Sequence, residues 1–416
     1  AAITACEKGS QWQLAIHLLT EMPSVRVAPN KFSYSAAISA CEKHGRWQEA
    51  LVLLSTVLAI QIQPDVVVFG AGISAAEKGG QWQLALQLLS TMLLTRIAPN
   101  VVTLSALVSS CEKAGQWQMA LQLLFDMPAA KVVPNEISFS ASISACEKGG
   151  QWQLALQVLS MLPDARLTAN RISFSAAISA CEKAGEWRMA LHLLSIMPAA
   201  TVAPDTINVN AGISACEKGN QWEIALQLLS FLATDRLAPD TISFSAAISA
   251  CEKCGNWEIA LLLLAHMAIV KVEPNEISFS AGISACEKGD QWQMALQVLS
   301  TMRESSALPN VVSFSACISA CEKARQWQMA LACLAKMLEV RFMPDEISLG
   351  TLLTARDKAS QWQMALALYA LLPTNAPPAR NPLSALSGAC EKKGTPVPTL
   401  HHARFRMYTG YQDGLL

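Results

Sequence analysis

The chain is 416 residues long, 52% hydrophobic and 15% charged, with a net charge of −1. Its pI near 6.7 and mean hydropathy of +0.29 leave no global electrostatic pull toward nucleic acid or an anionic membrane surface. No uninterrupted apolar run reaches the roughly 18 residues of a membrane span; the longest candidate, LVLLSTVLAI at 51–60, is broken by Ser and Thr, so a soluble protein is expected.

All 11 Trp residues fall on a spacing of 35, from Trp12 through Trp152 and Trp257 to Trp362. A fixed period of this size signals stacked supersecondary units rather than two or three ordinary domains. Residues 1–30 are the latter part of one unit, 31–345 hold nine regular units, 346–379 form a degenerate unit, and 380–416 a partial unit and tail. The stretch AAITACEKGS opens inside a repeat with neither initiator Met nor leader, so the expectation is a longer precursor whose address is missing.

The unit TISFSAAISACEKCGNWEIALLLLAHMAIVKVEPN at 241–275 shows the elements in order. Phe244, Ile248 and Cys251 recur at helical spacing and predict a first helix with one buried stripe. Gly255 breaks it. Trp257, Ala260, Leu261, Leu264 and Met267 predict a second helix with its own stripe, and Pro274 closes the unit in an extended turn. One hairpin cannot bury both stripes, whereas stacked neighbours form a continuous core. The fold expected is all-α, an α-solenoid of about eleven helix-turn-helix repeats with the first helices lining the concave face.

The 35-residue unit, its opening Val/Ile-Ser-Phe-Ser, its Cys-Glu-Lys and its closing Pro-Asn or Pro-Asp resemble the pentatricopeptide repeat family over residues 1–373. The resemblance implies a right-handed superhelix that reads single-stranded RNA one base per repeat. It assigns the reading to the fifth and last residues of each unit: Ser35/Asp65, Gly70/Asn100, Ser105/Asn135, Ser140/Asn170, Ser175/Asp205, Asn210/Asp240, Ser245/Asn275, Ser280/Asn310 and Ser315/Asp345. An ionised Asp only accepts and suits the imino N–H of guanine or uracil, while Asn also donates and suits adenine or cytosine. Ser leaves room for a purine and the longer Asn for a pyrimidine. Read amino to carboxyl as 5′ to 3′, the site is G-?-A-A-G-U-A-A-G, open at the second place because Gly70 has no side chain. Gly350 and the missing Pro-Asp near Arg380 leave the last unit unreadable.

The second residue of each unit is aliphatic: Val67, Val102, Ile137, Ile172, Ile207, Ile242, Ile277, Val312 and Ile347, with Phe32 the exception. The resemblance implies that these wedge bases between repeats; packing where the helix starts is the alternative. Lys43, Lys78, Lys113, Lys148, Lys183, Lys218, Lys253, Lys288 and Lys323, with Lys8 and Lys358 at the ends, stand about half a turn from the buried aromatic of their helix. They are candidate phosphate contacts, or else half of a solvated Glu-Lys surface, since a Glu precedes nearly every one.

Of 13 cysteines, ten stand in the repeated Cys-Glu-Lys, and a reducing compartment is expected. Cys251/Cys254 and Cys317/Cys321 lack a second pair at zinc spacing, so no metal or other cofactor is expected. The Trp series is assigned to packing rather than base stacking. His401, His402, Arg404 and Arg406 make a small basic tail. No catalytic signature is present, and the chain is not expected to be an enzyme.

The expected partner is single-stranded RNA, together with other RNA-processing proteins, and neither a membrane nor a small-molecule substrate. The resemblance places the protein in a chloroplast or mitochondrion, in RNA processing, stabilisation, editing or translation. A protein-binding solenoid and a fragment of a larger repeat-containing enzyme are the alternatives.

Overall fold

The computed structural model describes residues 2–342 other than 10, 61, 62, 235, 236, 306 and 341. Asp345, Ile347, Gly350, Lys358, Trp362 and Arg380, the degenerate unit and the tail lie outside the described residues. The chain divides into two compact units between Ala215 and Cys216.

The first unit holds α1 (Ala2–Lys8), α2 (Trp12–Glu21), α3 (Lys31–Lys43), α4 (Trp47–Ala59), α5 (Val66–Lys78), α6 (Trp82–Leu94), α7 (Val101–Lys113), α8 (Trp117–Asp126), α9 (Glu136–Lys148), α10 (Trp152–Ser160), α11 (Arg171–Ala184) and α12 (Trp187–Ile196). The boundary falls within α13 (Thr206–Lys218). The second unit continues with α14 (Trp222–Thr234), α15 (Thr241–Lys253), α16 (Trp257–Ile269), α17 (Glu276–Lys288), α18 (Trp292–Glu304), α19 (Val311–Lys323) and α20 (Trp327–Glu339). Every described element is a helix. Within each unit, a first helix packs on the second helix of its own repeat and on the first helix of the next, and each second helix packs on the following first helix. That is the arrangement of a helical solenoid.

The sequence specifies both ends of each helix. First helices run from an Asn or Asp N-cap to a Lys in the last turn, as for α7 and α15, placing a cation where the helix dipole is negative. Closure follows at the fifteenth position in left-handed conformation, at Gly45, Gly80, Gly115, Gly150, Gly185 and Gly255. The next amide reaches back to the eleventh residue, as Gln151 N donates to Cys146 O at 2.9 Å, completing a Schellman turn. Second helices vary in length for a local reason. Pro23, Pro128, Pro163 and Pro198 stop α2, α8, α10 and α12 at 9 or 10 residues, because proline cannot donate into the ladder. Where no proline intervenes, α4, α6 and α16 run 13 residues.

The core is made of the expected stripes with one reassignment. Phe244, Ile248 and Cys251 are buried, as are Ala260, Leu263 and Met267, but Leu261 and Leu264 are half-buried. They pack with Trp257 against the core cluster of the following repeats, which contains Phe279 and Ile283. A second helix therefore presents two adjoining apolar sides, one to its own repeat and one to its neighbour. The Trp residues work on the second side: a Cβ on Gly149 would come within 2.3 Å of the Trp117 ring, so the indole of one repeat covers the end of the next repeat's first helix.

Candidate nucleic-acid interface

The last residue of each repeat is also the N-cap of the next first helix. Asn30, Asn100, Asn135, Asn170, Asp240, Asn275 and Asn310 each accept on a side-chain oxygen from the backbone N–H three residues on. Asp65 and Asp205 do the same, Asp205 Oδ1 accepting from Asn208 N at 2.9 Å. A backbone donor fixes the amide orientation of a capping Asn, since only its oxygen can accept. The atom left over is Nδ2, a donor, in Asn and Oδ2, an acceptor, in Asp. At two Asp positions that second oxygen faces a cation from the same repeat, Lys31 Nζ at 4.0 Å from Asp65 and Arg171 at 3.5 Å from Asp205.

The fifth-position serines meet these caps in several repeats. Ser105 Oγ lies 3.1 Å from Asn135 Oδ1, and Ser140, Ser245 and Ser280 lie 3.4 Å from the Oδ1 atoms of Asn170, Asn275 and Asn310. Ser315 Oγ donates to Val311 O at 2.8 Å, its expected companion Asp345 being outside the described residues. Asn210 is buried, and Gly70 offers no side chain beside Asn100.

A third residue, unmarked by the sequence reading, completes the cluster. The third position of the next repeat is buried and polar at Ser138, Ser173, Asn208, Ser243 and Ser278. Ser138 Oγ donates to Asn135 Oδ1 at 2.8 Å and lies 2.9 Å from Ser105 Oγ. At Ser175 and Asp205 the link differs: Asn208 Nδ2 donates to Ser175 Oγ at 2.6 Å while its Oδ1 accepts from Asp205 N at 3.1 Å. The signal available in sequence was a recurrent Ser or Thr, replaced at Val68 and Asn208, inside an otherwise apolar stripe.

Phe32, Val67, Val102, Ile137, Ile172, Ile207, Ile242, Ile277 and Val312 are between 59% and 69% exposed. Among the described residues, their side chains stand at the surface rather than in the core where the helix starts.

The lysines are exposed but not solitary. Lys43, Lys78, Lys113, Lys148, Lys183, Lys253, Lys288 and Lys323 pair with Glu7, Glu42, Glu77, Glu112, Glu147, Glu217, Glu252 and Glu287 at 2.7 to 3.2 Å. Each partner is the Glu of the preceding repeat, not the Glu next in sequence. Glu and Lys thus form a ladder from repeat to repeat. Lys218 also has an interaction partner.

Burial pushes the thiols of Cys111, Cys146, Cys216 and Cys286 up to about 11. The same holds for Cys41, Cys181 and Cys251, to which Glu49, Glu186 and Cys254 add smaller contributions. These cysteines are protonated small hydrophobes at neutral pH. Cys254 is exposed. Among the described residues no group of three or more His, Cys, Asp or Glu could hold a metal ion.

Helical hairpins stacked in one direction, with a recurrent polar cap pair and a recurrent exposed aliphatic residue, define a helical repeat protein with one small site per repeat. Sequence comparison specifies which class of repeat. The pentatricopeptide repeat-containing protein model matches residues 140–267, the pentatricopeptide repeat domain model 52–114 and 97–148, and the PPR repeat model 32–57. The pentacotripeptide-repeat region of PRORP matches 206–373. The chain belongs to the pentatricopeptide repeat family. No curated protein matches the sequence.

Among solved structures, PPR10 from maize is similar at 16% identity over 99% of this chain and 77% of that one, with a TM-score of 0.46. PPR10 in complex with an 18-nt psaJ RNA element gives 18% identity, 98% and 66% coverage and a TM-score of 0.48. The PPR domain of Arabidopsis thaliana protein-only RNase P 1 in complex with tRNA gives 13%, 41% and 90%, and 0.38. This chain thus spans just under two thirds of the PPR10 chain in its RNA complex.

Proposed function

We propose that the chain binds single-stranded RNA one base per repeat, in the order G-?-A-A-G-U-A-A-G, and serves RNA processing, stabilisation, editing or translation in an organelle. The observation that carries this reading is the recurrence of one cluster: a capping Asn or Asp whose second side-chain polar atom is not used by the cap, a buried neighbouring Ser, and an exposed aliphatic residue. In this reading the uncommitted Nδ2 of Asn135, Asn170, Asn275 and Asn310 donates to adenine, and the Asp carboxylates accept from guanine or uracil. The aliphatic residues from Val67 to Val312 separate successive bases, and the ladder of thirteenth-position lysines from Lys43 to Lys323 lies along the phosphates.

The test is equilibrium binding to that RNA, to a version with A and G exchanged, and to the matching DNA, at two salt concentrations. The expected order is cognate RNA first, with at least tenfold discrimination against the exchanged RNA. Equal affinity for the two RNAs would sink the base-reading assignment. Within the same assay, Asp205→Asn is expected to move preference at the fifth base from G toward A. The match of 206–373 to a PRORP repeat region favours a second reading, in which the array presents RNA to a catalytic domain of a longer protein. The chain alone is then expected to bind labelled RNA in magnesium without cleaving it.

A further inference from the structure

The two turns of each repeat close in the same way but with different residues. Both use a left-handed residue followed by an amide that reaches back five positions. At the turn inside the hairpin that residue is mostly Gly. At the turn between repeats it is Arg26, Arg96, Lys131, Arg166, Thr201 and Lys271, with φ between 57° and 61°. The hydrogen bonds are uniform: Ile97 N donates to Met92 O, Val132 N to Met127 O and Leu167 N to Leu162 O, each at 3.0 Å. The conformation is thus imposed by the fold, and a side chain there costs free energy that glycine would not. Strain kept in this way, repeat after repeat, calls for a role for the side chain.

All but Thr201 are cations, and their charges are uncompensated. Arg26, Arg96, Lys131, Arg166 and Lys271 are exposed. Among the described residues none of their side chains has a hydrogen-bond or ion-pair partner, in contrast to the lysines of the Glu-Lys ladder. Their location is defined by chain length. Each lies four positions before a capping Asn or Asp, a span of at most roughly 13 Å. The Lys of the same repeat lies about 12 Å along the helix from the fifth-position residue. Each reading pair therefore has a cation of the neutralised row and one of the free row within roughly 13 Å along the chain or helix.

We propose that the left-handed Arg/Lys row between repeats is a second phosphate-binding rail that holds the sugar–phosphate backbone of the bound strand. The proposal rests on the RNA-binding reading above and adds a site to it. A cation merely complementing the end of the second helix would explain the charge, but would not change how binding depends on salt.

The test replaces Arg96, Lys131 and Arg166 together by Gly and compares the full chain with the same chain carrying Lys113→Gln and Lys148→Gln. Glycine relieves the left-handed strain, so the triple variant is expected to melt at the same temperature or higher. Its affinity for the single-stranded RNA is expected to fall at least tenfold at low salt. Each lost phosphate contact on a single strand lowers the slope of log K against log salt by about 0.7, so a decrease of about two is expected for the three. Unchanged affinity and slope in the glycine variant, with cognate RNA still bound, would overturn the second rail and leave the base-reading function standing. Failure of the unaltered chain to bind any RNA would overturn both. A uniform loss with no change in slope would also overturn the rail, since it would reflect folding rather than charge.

Discussion

Gly149 and Gly150 are adjacent and needed for different reasons. A Cβ on Gly149 would collide with Trp117 of the preceding repeat, whereas one on Gly150 would meet nothing within 4 Å but would sit at φ +67°. Gly150→Ala is therefore expected to cost about 1 kcal/mol or somewhat more, and Gly150→Asn less, because Asn220 holds the equivalent place at φ 53°. Chemical denaturation of the two variants checks the order; equal losses would refute the conformational explanation. The cysteines make a different prediction. A thiol raised from 9.0 to about 11, as at Cys146, favours the folded state while both states are protonated. That contribution is complete below about pH 9 and is lost as pH rises toward 11. Stability is expected to decline through this window, and Cys146→Ala to make the decline shallower, since Ala76 is the natural occupant of that position in its repeat. Melting temperatures at pH 8, 9.5 and 10.5 measure it. No difference in slope between variant and parent would remove the cysteine from the explanation.

At the scale of the helix, one residue has two tasks. Asn135 starts α9 by accepting from Ser138 N, and in the proposed function it also meets a base. Asn135→Ala is expected to destabilise the protein by about 1 kcal/mol, the ordinary cost of losing an N-cap, whether or not RNA is present. Asn135→Asp keeps the cap, as Asp65 and Asp240 do naturally, and is expected to leave the melting temperature nearly unchanged while shifting the third base from A toward G. Melting curves and binding to the two RNAs separate the tasks; a base shift with Ala as large as with Asp would argue against readout by the carboxylate. The helices themselves were legible because many near-copies of one pattern average out local ambiguity, and a Pro-Asn or Pro-Asp boundary marks most starts, Ala169-Asn170 being an exception. The third-position polar residue was harder to see. Ser138 lies in a stripe otherwise devoted to packing, and its hydrogen bond to Asn135 depends on the cap geometry rather than on any spacing.

Across a whole unit, periodicity turns local contacts into continuous ladders, and here sequence adjacency was misleading. Glu147 stands beside Lys148, yet Lys148 pairs at 2.7 Å with Glu112, and Glu147 at 3.0 Å with Lys183. Consecutive residues on a helix point about 100° apart, so the neighbour in sequence is a poor partner, whereas the same face of the adjoining repeat is close. The positions between repeats were missed for a related reason: no glycine marks Arg96, Lys131 or Arg166 as left-handed, so nothing in the sequence distinguishes them from ordinary loop cations. The period, hairpin and stacking were thus readable, while the charge pairing was a property of the stack. Its consequence can be measured. Exposed pairs of this kind contribute about 0–1 kcal/mol each to stability, but every Glu repels a phosphate from the Lys it holds. Glu77→Gln, Glu112→Gln and Glu147→Gln together are expected to cost little stability and to free Lys113, Lys148 and Lys183. RNA affinity is then expected to rise several-fold at low salt, and its salt dependence to steepen, because cations once neutralised within the protein would instead displace counterions from the strand. Binding isotherms at several salt concentrations would show this; an unchanged slope would mean that the Lys ladder holds neighbouring repeats together and takes no part in holding RNA.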